Sequence, residues 1–197
     1  MISAIVLAAG RSRRMGTQKL LLPYAGKTLI AHIVDEVLKA PVAETVVVTS
    51  VQADPLRAAL AGRPLTFTSN PDLEGDMLSS VRCGLKRLPA VCTAVVVLLG
   101  DQPTVTAELL TRMIDAHATS NRGIVVPAYE GRRGHPLLFS IRYRDEILTG
   151  YEDMGLRGLL HAHPDDVYEL GVPTPSVLAD VDTPEDYLRE LGRSGQA

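Results

Sequence analysis

The chain has 197 residues, 46% of them apolar and 22% charged, which is the balance of an ordinary globular protein and excludes disordered and low-complexity classes. Lys and Arg number 20 against 23 Asp and Glu, a net charge of −3, so no basic surplus exists for a long polyanion or an anionic membrane surface. With no Trp, two Phe and six Tyr, the stacking platforms used on single-stranded nucleic acid are not expected either.

The N-terminal stretch MISAIVLAAGRSRRMG places its positive charges after the apolar run, the reverse of a secretory signal, so a cytoplasmic protein is expected. Ile2 to Leu7 reads as a first strand, followed by a loop to Thr28. Leu29, Ile30, Ile33, Val34, Val37 and Leu38 recur at helical spacing until Pro41. Thr45 to Thr49 is a second strand. Asp54 and Pro55 read as an N-cap and a first-turn proline for a short helix to Ala61, and Leu65 to Thr68 is a third strand. NPDLEGDM is a loop before a helix over Leu78 to Leu88, with serines in its first turn.

The uncharged run Ala90 to Gly100 is shorter than the roughly 18 residues of a membrane span, and Ala94 to Leu99 within it reads as a central strand covered on both faces. Thr106 caps a helix to His117, Ile124 to Pro127 is a strand, and the glycines of GRRG (131–134) turn the chain into the strand HPLLFS. A helix near Met154 to His161 and strands near Val167–Leu170 and Val177–Val181 follow. Thr183-Pro184-Glu185-Asp186 opens the last helix, and GRSGQA is a tail.

This alternation predicts a single α/β domain over residues 1–190, with 191–197 as a flexible tail. The expected fold is a three-layer, Rossmann-like sandwich around a mostly parallel mixed sheet, with an antiparallel hairpin in the second half because 124–140 is too short for a helical crossover. Ligands of open α/β sheets bind at the carboxyl ends of strands, so Leu7-Ala8-Ala9-Gly10, Gly100-Asp101 and Asp180-Val181-Asp182 are candidates for one site.

The first of these loops carries Arg11, Arg13, Arg14 and Lys19 among small residues, a concentration of cations suited to phosphate oxygens. It is not a Walker loop, since five residues separate Gly10 from Gly16 and Thr17-Gln18 follow; nor does it supply GxGxxG. A solvated basic turn is the bland rival. Asp101 and Asp182 suit Mg²⁺ held between carboxylates and phosphates, against plain turn and helix capping. Cys83 and Cys92 lack metal spacing and are expected as reduced thiols. His161 and His163 do not read as a metal pair, and His32 and His117 read as surface or boundary residues.

LAAGRSRRMGTQKLLLPYAGKTLI, NPDLEGDMLSSVRCGL, VVVLLGDQP, GRRGHPLLF and DVDTPEDY occur in this order, from Ile5 to about Tyr187. Together they resemble the MobA-like nucleotidyltransferases, most closely molybdenum cofactor cytidylyltransferases, of the nucleotide-diphospho-sugar transferase-like fold. The resemblance implies that the backbone of Leu7, Ala8, Ala9 and Gly10 lies beside the base and ribose, with Gly75, Ser79 and Ser80 completing the nucleoside pocket. It gives Arg14 and Lys19 to the triphosphate and Asp101 and Asp182 to Mg²⁺, with Arg14, Lys19 and Asp101 as the catalytic set. His135 and Arg133 are candidates for the acceptor. Ala9 replaces a glycine usual in GTP-using relatives, which favours a pyrimidine and hence CTP.

The implied reaction transfers CMP to a molybdopterin-type phosphate, with a molybdoenzyme as a possible client. A guanylyl- or other nucleotidyltransferase acting on a sugar or polyol phosphate, a non-catalytic cofactor-binding maturation factor and a small-molecule regulatory domain remain open alternatives at this point. A phosphate nucleophile is already anionic at neutral pH and needs no general base, in keeping with a site of Arg, Lys, Asp and Gly.

Overall fold

The computed structural model describes residues 1–10, 15, 18–72 and 75–195. In chain order its elements are β1 (Ile2–Ala8), β2 (Pro23–Tyr24), β3 (Lys27–Thr28), α1 (Leu29–Lys39), β4 (Glu44–Ser50), α2 (Asp54–Ala59), β5 (Thr66–Asn70), α3 (Met77–Arg87) and β6 (Ala94–Leu99). The second half adds α4 (Ala107–Thr119), β7 (Ile124–Tyr129), β8 (Arg132–Arg133), β9 (Leu137–Ser140), α5 (Arg144–Thr149), α6 (Leu156–Ala162), β10 (Val167–Gly171) and α7 (Pro184–Ser194).

The main sheet runs β10-β7-β9-β6-β1-β4-β5, with β8 paired to β7. Strands β1, β4, β5 and β6 are mutually parallel in register, Ile5 lying opposite both Val46 and Val97. β9 runs antiparallel to both β6 and β7, the reversal expected from the short connection. β1 is therefore the point at which the order reverses: β4 and β5 extend the sheet one way and β6 the other, leaving a crevice at the carboxyl ends of β1 and β6.

Alternation along the strands divides the core in two. Ala4, Val6, Ala94, Val96 and Leu98 face α1, α2 and α4, whereas Ile5, Val95 and Val97 face α3, α5 and α6. On α1, Leu29, Ile30, Ile33, Val34 and Val37 are fully buried, each worth about 1.5–3 kcal/mol of removed apolar surface. Thr28 caps that helix by accepting from the Ala31 amide, and Thr106 does the same for α4 through Leu109. At Gly84 of α3 a methyl group would lie 2.7 Å from Ile5 Cγ2, so a glycine lets this helix sit close on β1.

Several expectations are corrected. Val177–Val181 is not a strand: Pro175–Leu178 is a 3₁₀ turn and the rest is an extended strap, because both neighbours of β6 are already taken by β1 and β9. The strap's backbone bonds go to loops instead, His135 N donating to Val177 O and Val181 N to Asp101 O. The expected loop before Thr28 contains a 3₁₀ turn (Lys19–Leu21) and the β2–β3 hairpin, turned at Ala25 and Gly26, both at positive φ. The second hairpin turns at Glu130-Gly131, and Arg132-Arg133 pair back onto β7 rather than forming the turn.

Asp54 is the first residue of α2 and makes no side-chain cap; Ala53 precedes it. α5 was not anticipated, and α6 starts at Leu156 rather than Met154. α7 continues to Ser194, into the stretch expected as a tail, while residues 196 and 197 lie outside the described residues. Cys83 and Cys92 are free thiols, as expected. No described helix is long and apolar enough to cross a membrane.

Candidate active site

The carboxyl ends of β1, β4, β5 and β6 open into a cleft of 490 Å³ lined by Leu7, Ala9, Gly10, Ser50, Asn70, Asp72, Gly75, Asp76, Met77, Ser80, Leu99, Asp101, Asp180 and Asp182. Eight of the residues singled out in the sequence meet here: Leu7, Ala9, Gly10, Gly75, Ser80, Asp101, Asp180 and Asp182. Ala8 ends β1 with its methyl group buried on the α1 side of the sheet. Arg11, Arg13, Arg14 and Gly16 lie outside the described residues.

Lys19 joins the two predicted metal aspartates directly. Its Nζ donates to Asp101 Oδ2 at 2.6 Å and to Asp182 Oδ1 at 2.9 Å, from a residue only 8% exposed. Burial opposes the ammonium, but the charges and hydrogen bonds of the two carboxylates outweigh it and hold the Lys19 pKa above the usual lysine value. Burial raises the Asp101 carboxyl above the ordinary aspartate value, and the charges of Asp180 and Asp182 add to that rise against the pull of Lys19.

The backbones that carry these groups are fixed. Gly100 N donates to Leu7 O at 2.9 Å, and a side chain at Gly100 would meet that same oxygen at 2.7 Å, so glycine allows the close approach of the β6 exit to β1. Asp101 O accepts from Val181 N, which ties the strap to β6. Asp182 lies just before the N-cap of α7, where Thr183 and Asp186 form a reciprocal capping box and Asp186 Oδ2 also accepts from the Asp182 amide.

On the other wall, Asn70 organises the loop before α3. Its Nδ2 donates to Ser79 Oγ at 2.8 Å and to Ser80 Oγ at 3.0 Å, while its Oδ1 accepts from the Asp72 amide. Ser79 is engaged in the start of α3: its amide donates to Asp76 Oδ1, the N-cap, and its hydroxyl to Asp76 O. A methyl group at Gly75 would strike Ser79 Oγ at 2.3 Å.

A second cavity of 720 Å³ adjoins the first and shares Asp76, Met77, Leu99 and Asp180 with it. His135 and Arg133 both line it, with Gln102, Arg132, Met154, Arg157 and His161 among its other walls. His135 reaches this edge because β9 runs antiparallel, which sets its amino end beside the carboxyl end of β6. Its Nδ1 is buried without a hydrogen-bond partner, and burial holds the ring below the ordinary histidine value despite Asp180 and Asp101. Arg133 Nε donates to Glu169 Oε1 at 2.8 Å, so its guanidinium is engaged on β10. Met77 and Met154 stand 42% and 45% exposed on this cavity.

Sequence reasoning passed over Asn70 and Gln102, and named Asp180 only alongside Asp182. Gln102 is 1% exposed, and its Nε2 donates to Asp180 Oδ1, which leaves its own Oε1 buried and unpartnered. The available signals were an Asx turn at Asn70-Pro71-Asp72 and the glutamine inside GDQP. His32 Nε2 lies 3.2 Å from Pro103 O, and His163 is engaged by Glu146, so neither serves the site.

The donor set fits a hard divalent cation. Oxygens of Asp101 and Asp182 converge on a single positive centre, and among the described residues no cluster of three or more His, Cys, Asp or Glu offers an all-protein metal cage. Two carboxylates with the remaining positions left for phosphate and water is the way Mg²⁺ is usually held.

The sequence pattern of the MobA-like NTP transferase domain matches residues 4–167. Molybdenum cofactor cytidylyltransferase of Escherichia coli K12 is 28% identical over 189 residues, 95% of this chain and 94% of its own. Nicotine blue oxidoreductase of Paenarthrobacter nicotinovorans is 29% identical over 199 residues, 96% of each chain. The crystal structure of Rv0371c from Mycobacterium tuberculosis H37Rv superposes with a TM-score of 0.87 at 35% identity, covering 97% of both chains. A manganese complex of Rv0371c matches with a TM-score of 0.79 at 32% identity, over 97% of this chain and 98% of that one.

Proposed function

The chain belongs to the MobA-like NTP transferases, and on that premise we propose that it transfers CMP from CTP to the terminal phosphate of a molybdopterin-type cofactor, releasing pyrophosphate. The observation that carries this reading is the convergence of Lys19, Asp101 and Asp182 beside two adjoining cavities, one for a nucleotide and a larger one for its acceptor.

In this reading the edge of β1 at Leu7, Ala9 and Gly10, together with Gly75 and Ser80, holds the nucleoside, and Ser79 acts by fixing the start of α3. The methyl group of Ala9 narrows the slot toward a pyrimidine. Lys19, with Arg14 by family resemblance, lies against the triphosphate. An oxygen of the acceptor phosphate attacks the α-phosphorus, and the α–β bridging bond breaks with its electron pair leaving on pyrophosphate. Lys19 stabilises the charge gathered on the leaving group. Asp101 and Asp182 would hold Mg²⁺, whose chemistry is to neutralise phosphate oxygens.

The junction of the two cavities at Leu99 and Asp180 is where the reacting groups would meet. His135, neutral at physiological pH, and Gln102 present polar groups to an acceptor whose body lies along Met77 and Met154. Arg133 is a weaker acceptor contact than its position suggested, because Glu169 engages it. We place the whole reaction in residues 1–190, in the cytoplasm, with a molybdoenzyme as the recipient of the product. Support comes from the cytidylyltransferase activity for which the Escherichia coli relative is named and from the manganese complex of the mycobacterial neighbour.

The test is pyrophosphate release with each of the four NTPs, with and without Mg²⁺ and molybdenum cofactor. Release should require CTP, metal and the cofactor together. Release only with GTP, or only with a sugar or polyol phosphate, would transfer the activity to that substrate. Cofactor binding without pyrophosphate would make the protein a carrier.

A further inference from the structure

We propose that Lys19 is a stand-in cation: its ammonium occupies the place between Asp101 and Asp182 that a divalent metal takes, and passes to the triphosphate when metal and nucleotide arrive together. This rests on the reading of the cleft as an NTP site. It adds that metal alone binds weakly and that metal and nucleotide bind as a coupled pair.

Asp101 is fixed by its own backbone bond to Val181 and by the Gly100–Leu7 contact, and Asp182 by the Asp186 carboxylate at the start of α7. Both aspartates thus sit on backbone held independently of Lys19. Lys19 belongs to a 3₁₀ turn anchored by the buried Leu20, and its Nζ lies 2.6 and 2.9 Å from the two carboxylate oxygens. An ammonium at these distances and a metal ion bound by the same oxygens exclude each other. Bare metal must therefore displace a cation already in place, and its apparent affinity falls by the fraction of molecules in which the carboxylates are released. A triphosphate removes that obstacle by giving the ammonium new anionic partners, which is positive coupling between the two ligands.

The experiment is Mn²⁺ binding to the full chain, followed by the electron paramagnetic resonance of free Mn²⁺. Without nucleotide, Lys19→Met should bind Mn²⁺ about tenfold or more tightly than the wild type, from the occupancy argument. Adding Asp182→Asn should abolish the gain. Lys27→Met, which removes the same charge from a surface pair with Asp35, should bind like the wild type. With CTP present the advantage of Lys19→Met should vanish.

A wild-type measurement covers the case in which Lys19→Met does not fold: acetylation of Lys19, read by peptide mass spectrometry, should rise when Mn²⁺ alone is added to saturation. Affinities of Lys19→Met and wild type within about twofold, an equal gain in Lys27→Met, or acetylation unchanged by saturating Mn²⁺ would each overturn the proposal. If CTP binds no form of the protein, the nucleotide reading fails, while the bare-metal comparison still decides whether Lys19 holds the metal's place.

Discussion

Replacing Asp101 with Asn separates what this carboxylate does for the fold from what it does for the reaction. The side chain is mostly buried, 20% exposed, and shares the cleft edge with Asp180 and Asp182. Burial, reinforced by those two charges, raises its pKa in the folded state. A carboxyl whose pKa is raised on folding binds its proton more tightly when folded. Its stabilising contribution is therefore present at low pH and lost as pH rises through the folded value. At neutral pH the ionised group consequently costs the fold stability.

Asn keeps the shape and can still accept from Lys19, which Asp182 also holds at 2.9 Å. Stabilising substitutions commonly gain about 0.5–2 kcal/mol, and for a chain of this size each kcal/mol is about 2–4 °C. Thermal melts of the nucleotide-free protein at pH 7.5 should therefore place Asp101→Asn about 1–8 °C above wild type. The gap should close as pH falls toward the carboxylate range and wild-type Asp101 takes up its proton. Turnover should drop by about a hundredfold or more, as when a preorganised charge at a reacting centre is removed. A variant melting several degrees lower at pH 7.5, a gap independent of pH, or undiminished turnover would each refute this reasoning.

Gly134→Ala would bring a methyl group 2.2 Å from Val177 O, displacing the strap that carries Asp180 and Asp182. Overpacking of about 1–3 kcal/mol should lower the melting temperature by several degrees and reduce kcat. Asn70→Ala should cost about 1–3 kcal/mol by leaving the Asp72 amide and two serine hydroxyls without this partner, and titration should show weaker CTP binding. Ala9→Gly widens the slot beside the base and should raise kcat/KM for GTP relative to CTP in a competition assay. His135 has its folded pKa lowered by burial, so it contributes to stability above its unfolded value near 6.5 and that contribution is lost as pH falls below it. His135→Gln should flatten the stability–pH slope just below pH 6.5 by at most about 1.4 kcal/mol per pH unit, measured by urea unfolding.

The parts of the fold set by local pattern were legible in the sequence. β-branched runs mark β1, β4 and β6, the spacing of Leu29 to Val37 marks α1, and the short 124–140 connection marks the antiparallel β9. The strand-end rule also brought Gly10, Asp101 and Asp182 together, although Lys19 meets its two aspartates across 82 and 163 residues of chain.

The strap at 175–182 was not legible, because its apolar residues read as a strand while its backbone partners lie on loops at Asp101 and His135. No periodicity records that pairing. The same holds for Gln102, whose amide acts through Asp180, and for the larger cavity, whose walls come from α6, β8 and the strap at once. Arg133 illustrates the converse: it lines the larger cavity, and nothing in the sequence recorded its engagement by Glu169.

The fate of the α-phosphate tests CMP transfer most directly. With CTP labelled at that position, Mg²⁺ and molybdenum cofactor, the label should become covalently attached to the cofactor while label from the γ-position leaves as pyrophosphate. Asp101→Asn should leave both labels in CTP. Label appearing as free CMP, or remaining in CTP with the wild-type protein, would contradict the proposed transfer.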